Sequence, residues 1–138
     1  MILLDTNLLV YSATPVSRHF DAAERAVRAF ATEAVLAPQC LYELWATATR
    51  PAPSGLGFTA EQTARLIREL RRSLRLLPDP PALLDLWLDL VTAHGITGKR
   101  THDARLVAFM RGHGLTRLAT FNIDDFRAYP GLELTLPT

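Results

Sequence analysis

The feature that most constrains this chain is an alternation. Short apolar runs of three or four residues are separated by stretches whose apolar side chains recur at three and four. Ile2-Leu3-Leu4 is the first such run, and it stops at the polar Asp5-Thr6-Asn7 before Leu8–Tyr11 turns apolar again. This reads as a buried strand ending in a polar turn. From about Pro15 the period changes: Phe20, Ala23, Val27, Phe30 and Ala34 form a helical stripe. Ala34–Ala37 then reads as a second buried strand ended by Pro38, and Leu41, Leu44, Trp45 and Ala48 give another helical face. Pro51–Phe58, with two prolines and two glycines, is a loop.

Thr59 and Gln62 have capping-box spacing ahead of a helix carrying Ala64, Ile67, Leu70 and Leu74, which Pro78-Asp79-Pro80-Pro81 breaks. Leu84, Trp87, Leu88 and Val91 mark a further helix stopping at Gly95, and Gly98–Thr101 is a polar connector. A helix is expected from Asp103 to Gly112, a strand over Arg117–Phe121, a polar turn over Asn122–Arg127, and a last strand over Leu132–Leu136. The three middle helices show no obvious strand between them. Strands alternating with helices predict an α/β fold with a mostly parallel sheet.

Composition narrows the functional classes. The chain has 138 residues, 49% hydrophobic and 21% charged, which excludes a disordered or low-complexity protein. A lone cysteine, Cys40, excludes a disulfide framework and a cysteine-rich zinc site; it reads as a small buried residue. No run approaches membrane-spanning length, and Asp5 interrupts the N-terminal apolar stretch, so neither a signal peptide nor a membrane anchor is expected. A cytoplasmic protein is the expectation. The net charge of +1 leaves nucleic-acid binding to local patches. Arg65, Arg68, Arg72 and Arg75 read as the solvated face of the third helix rather than a phosphate-binding stripe. His19, His94, His102 and His113 have no metal-ligand spacing, and Trp45 and Trp87 read as core packing or a dimer face.

Open α/β sheets bind ligands beyond the carboxyl ends of their strands. Two polar clusters fall there: Asp5-Thr6-Asn7, and Asn122 through Asp125. Asp103 lies near a helix start, where the helix dipole favours a carboxylate. Glu43 is the only acid on its apolar helix. Convergence of such groups would generate repulsion that a proton or a cation must relieve. Carboxylate and amide oxygens without cysteine or paired histidine select a hard ion, Mg²⁺ or Mn²⁺.

The opening Ile2-Leu3-Leu4-Asp5-Thr6-Asn7, the isolated Glu43, the stretch Thr101-His102-Asp103-Ala104-Arg105-Leu106-Val107, and Thr120-Phe121-Asn122 through Asp125-Phe126 together resemble a PIN domain. More closely, the chain is similar to the VapC-type ribonuclease toxins of bacterial toxin–antitoxin pairs. The resemblance spans the whole chain, in order. It implies a single domain over residues 1–138, a three-layer sandwich with a central mostly parallel sheet flanked by helices. It also implies metal-dependent hydrolysis of RNA phosphodiester bonds by an endoribonuclease that a cognate antitoxin neutralises, and it implies a homodimer. Asp5, Glu43 and Asp103 match the family's first three acids and so its metal ligands, with Thr6, Asn7 and Thr120 as supporting neighbours. The fourth position is Asn122 instead of the usual acid, and Asp124 or Asp125 stands near enough to compensate. Lys99 and Arg100, just ahead of Asp103, are placed to contact an RNA phosphate. Asn122 keeps a second reading open, a PIN-like module that binds RNA or protein without cutting. An aspartyl-phosphate phosphatase or receiver fits poorly, because Asn7 occupies the place of the phosphatase's second acid.

Overall fold

In the computed structural model, which describes residues 1–138, five strands form one sheet in the order β3-β2-β1-β4-β5, every neighbouring pair parallel. The strands are β1 (Ile2–Leu4), β2 (Ala34–Leu36), β3 (Arg75–Leu76), β4 (Arg117–Ala119) and β5 (Glu133–Thr135). Ile2, Leu3, Leu4, Leu36, Leu118 and Ala119 are wholly inaccessible to solvent, as expected for a parallel sheet covered on both faces.

Seven helices supply the cover: α1 (Thr6–Ser12), α2 (Phe20–Ala29), α3 (Pro38–Thr49), α4 (Ala60–Ser73), α5 (Leu83–His94), α6 (Arg100–Gly112) and α7 (Ile123–Phe126). Their main packing falls into two groups. α1 lies against α2 and α3, and α3 against α4; α5 lies against α6, and α6 against α7. Right-handed crossovers that step first one way along the sheet and then the other require this division. The result is the expected α/β/α sandwich. None of its helices is long and apolar enough to cross a membrane.

Local sequence explains most element boundaries. Pro38 occupies the first turn of α3, where its missing N–H costs nothing. Thr59 and Gln62 form the full capping box: the Gln62 N–H donates to Thr59 Oγ1 at 3.0 Å and the Thr59 N–H to Gln62 Oε1 at 2.8 Å. Gly95 ends α5 at φ 60°, a left-handed conformation that glycine adopts without strain.

Of the boundaries that differ from expectation, five change what an element contains. α1 begins immediately after Asp5, so Thr6 and Asn7, expected in a polar turn, open a helix that runs on through Leu8–Tyr11. β3 lies between the middle helices, so Arg75 belongs to a strand and not to the arginine face of α4. α6 begins at Arg100, three residues before Asp103, and takes in the end of the expected connector. The polar turn after Asn122 contains the single-turn helix α7. β4 ends at Ala119, leaving Thr120 and Phe121 beyond the strand. Trp45 also departs from a core role, being 39% exposed, whereas Trp87 packs against the core edge and donates its indole N–H to the Thr101 carbonyl at 2.9 Å.

The Pro78–Pro81 segment clamps α6. Arg105 pairs with Asp79 at 2.9 Å, and the His113 ring meets the Pro78 carbonyl at 2.7 Å. A β-carbon on Gly112 would lie 2.5 Å from Pro80 Cγ. Replacing a helical glycine with alanine ordinarily stabilises by about 0.4–1 kcal/mol. Here overpacking against a rigid ring dominates, and Gly112→Ala is expected to destabilise by about 1–3 kcal/mol in a urea unfolding titration.

Candidate active site

The sheet order reverses between β1 and β4: the chain leaves β1 toward β2 and later returns on the other side at β4. That topological switch point opens a crevice at the carboxyl ends of the two strands. Asp5 ends β1 and caps α1, its Oδ1 accepting the Thr6 N–H at 2.8 Å. Its Oδ2 accepts the Thr120 hydroxyl at 2.7 Å and the Asn7 side-chain amide at 3.3 Å. Thr120 is wholly buried, and its Oγ1 accepts in turn from the Asn122 N–H at 3.0 Å. Asn7 Oδ1 takes the Phe121 N–H at 3.2 Å. The two polar clusters read from sequence are thus one hydrogen-bonded unit joining β1 to β4.

Glu43 enters from α3. Its Oε2 accepts the Thr6 hydroxyl at 2.8 Å and its Oε1 the Gln39 side-chain amide at 2.8 Å. Asp103 enters from the first turn of α6, half-buried. Asp5, Thr6, Asn7, Glu43, Asp103 and Asn122 line one cleft of about 370 Å³. The Pro51–Phe58 loop forms its far wall with Pro53, Ser54, Gly55 and Leu56. That loop folds back on the end of α3, where the N–H groups of Leu56, Gly57 and Phe58 donate to the carbonyls of Thr47, Arg50 and Ala48. These contacts satisfy carbonyls that a helix end otherwise leaves open. Gly55 makes the fold-back possible, since a β-carbon there would meet the Arg50 carbonyl oxygen at 2.4 Å.

A larger hollow of about 480 Å³ lies between α5 and α6, lined by Leu83, Leu84, Trp87, Thr101, His102 and Arg105. It holds none of the clustered acids.

The acids repel one another. Burial and then the charges of Asp125, Asp5 and Glu43 push the Asp103 carboxyl up to about 6, against a partial opposing pull from Arg100. Burial raises Asp5 as well; the Thr120 hydroxyl and Thr6 N–H oppose this, and the Glu43 and Asp125 charges add to it. Of the two downstream acids, Asp125 is the one whose charge bears on Asp103 and Asp5. Asp124 is turned outward, 85% exposed and paired with Arg127 at 2.7 Å. Arg100 lies close enough to act on Asp103, while Lys99 is exposed at the N-cap of α6. His102 contributes its backbone carbonyl, not its ring, accepting from Gln39 at 2.8 Å. Cys40 is buried with its thiol held protonated by desolvation, consistent with an inert packing role.

A hard divalent cation fits this donor chemistry. The acids present only oxygen, and the carboxylate oxygens of Asp5 and Glu43 keep lone pairs beyond the hydrogen bonds that orient them. No three of the acids already close on one point as a full cage.

Gln39 has no counterpart among the residues singled out from sequence. The only signal was its position four residues before Glu43, which places both on one face of α3.

Comparison with known proteins agrees with this architecture. The PIN domain family matches residues 2–132. Ribonuclease VapC24 of Mycobacterium tuberculosis is 30% identical over 130 residues, covering 91% of this chain and 89% of that protein. VapBC2 from Rickettsia felis, solved on a fragment of its promoter DNA, superimposes with a TM-score of 0.73 at 21% identity, covering 100% of both chains. Mycobacterium tuberculosis VapC20, described as a sarcin-ricin loop cleaving toxin, gives 0.73 at 16% identity over 94% of this chain and 95% of that one. At these identities the two structures speak for the fold.

Because Asp103 titrates near 6 in the fold against an ordinary 3.8, the native protein binds more protons than the unfolded chain between those values. Its contribution to stability therefore falls as pH rises from about 4 through 6, the reverse of a salt-bridged carboxylate. Unfolding of chelator-treated protein across this range is expected to show that slope. Asp103→Asn should reduce it to the part that the raised Asp5 carboxyl contributes, Asp125→Asn should weaken it, and Asp124→Asn should leave it unchanged.

Proposed function

Since the chain belongs to the PIN domain family, we propose that it is a metal-dependent endoribonuclease toxin that hydrolyses RNA phosphodiester bonds and is neutralised by a cognate antitoxin. The observation that carries this reading is the meeting of Asp5, Glu43 and Asp103 in one cleft at the sheet's switch point, with Asp103 pushed up by burial and then by the neighbouring acids. Mutual repulsion in a half-buried site costs folding free energy, and an inert scaffold would have no use for it. The VapC24 likeness supports the ribonuclease assignment. The likeness to VapBC2, and to a Klebsiella pneumoniae structure described as a toxin–antitoxin complex, supports the antitoxin. Two copies of the chain pairing as a homodimer, and residence in the cytoplasm, complete the reading.

Asp5 and Asp103 would hold Mg²⁺ or Mn²⁺ directly, with Glu43 reaching it directly or through water. Such an ion, when bound, neutralises charge at the phosphate and lets water act as a nucleophile near neutral pH. Thr6 and Gln39 hold the Glu43 carboxylate in a fixed orientation, ready to accept a proton from the attacking water. Thr120 and Asn7 hold Asp5 in place from beneath. Asn122 lines the cleft with a neutral amide able to hold a water, and Asp125 supplies the negative charge that Asn122 lacks. Arg100 and Lys99, at the open end of α6, are placed to steady neighbouring RNA phosphates.

Purified chain, free of antitoxin, should cut an RNA pool into discrete fragments with Mg²⁺ or Mn²⁺ and leave it intact with chelator. Asp103→Asn should lower the cleavage rate by on the order of 10²–10³-fold, the usual cost of losing one group preorganised around developing charge. Folded wild-type protein that binds RNA but leaves it uncut with either ion would favour the non-cutting module, the reading that Asn122 keeps open.

A further inference from the structure

Resting on the nuclease reading above, we infer that Gln39 is a positioning residue for the metal site: anchored to α6, it fixes the carboxylate of Glu43. Gln39 is 7% exposed, and each of its polar atoms has a definite partner. Nε2 donates to Glu43 Oε1 and to the His102 carbonyl, both at 2.8 Å. Oε1 accepts from Arg105 Nη1 at 2.9 Å, while Arg105 Nη2 pairs with Asp79 at 2.9 Å. The amide has only one workable orientation. Reversed, it would set its oxygen against a carboxylate and a carbonyl, and its NH₂ against a guanidinium.

The consequence for Glu43 is geometric. With Oε2 held by Thr6 and Oε1 by Gln39, each carboxylate oxygen has its own donor, and a chain of contacts runs from α1 through α3 to α6. Because Gln39 bonds the carbonyl immediately before Asp103, it also references Glu43 to the helix that delivers the other principal acid. An amide suits this place because it can donate to a carboxylate and a carbonyl while accepting from arginine. Neither a carboxylate nor an apolar side chain of that length can do all three. Arg105 enters by holding the amide, so its influence on Glu43 passes through Gln39.

Mn²⁺ titration of the whole chain without RNA, followed by loss of the free-ion paramagnetic resonance signal, tests this directly, alongside RNA cleavage. Gln39→Met should weaken Mn²⁺ binding about 10–100-fold, the range typical for partners that orient metal-binding side chains. Arg105→Met should act in the same direction with a smaller effect. In a Glu43→Gln background, Gln39→Met should cause no further loss, because the residue through which it acts has already been changed. A general packing defect would persist in that background. Wild-type affinity in folded Gln39→Met, or an equal loss with and without Glu43→Gln, would overturn the inference while leaving the nuclease reading intact. If Gln39→Met fails to fold by thermal melt, Arg105→Met decides in its place, with unchanged affinity counting against the inference. A wild-type chain that neither binds Mn²⁺ nor cuts RNA would overturn both.

Discussion

The hydroxyl of Thr120 donating to Asp5 is the bond on which the rest of the site depends. It ties the ends of β1 and β4, the two strands between which the chain changes direction across the sheet. Asp5 is nearly buried, so its charge is tolerable only while Thr120, the Thr6 N–H and Asn7 stay in place. Thr6 then carries the network outward to Glu43, and Gln39 carries it onward to α6. The cleft is thus assembled from four elements distant in sequence by one continuous set of hydrogen bonds. No buried side-chain polar atom is left without a partner.

Two opposing demands meet in this arrangement. Hydrogen bonding orients the acids and favours their charged forms, while burial and mutual repulsion favour protonation. The balance differs from residue to residue. Asp5, with several donors around it, is the most constrained in position, whereas Asp103 sits across the cleft and its carboxyl is pushed well into the range where it titrates under mild conditions. A site strained in this way gains stability from a bound cation, and the same strain makes the empty protein less stable than its apolar core alone would allow.

Much of this was readable from the residues themselves. Ile2–Leu4, closed by a polar turn, and Ala34–Ala37, closed by Pro38, read as buried strands, and Pro38, Thr59 with Gln62, and Gly95 mark helix ends through backbone chemistry that does not depend on the fold. Asp5 and Glu43 stand out because each interrupts an apolar context, and Asp103 because it lies near a helix start. What escaped was what depends on tertiary packing. Two residues, Arg75 and Leu76, carry no periodicity of their own and become a strand only because β2 lies alongside. Leu8–Tyr11 is apolar in either conformation, and the Asp5 cap settles it as helix. Asp124 and Asp125 are chemically identical neighbours, separated only by the turn of α7. Gln39 lies 63 residues from the carbonyl that holds it, so nothing local marks it.

The sheet's outer strands have a further consequence. β3 is two residues long and includes a charged Arg75, and β5 is three residues long with Pro137 two positions beyond its end. Short, charged or proline-flanked borders offer few unpaired backbone groups to another chain, which guards against edge-to-edge aggregation. They also close off one route of recognition. A partner peptide cannot readily dock here by becoming a sixth strand, so it must grip through side chains on the helices and loops, and its selectivity must be written in the shape and charge of those surfaces.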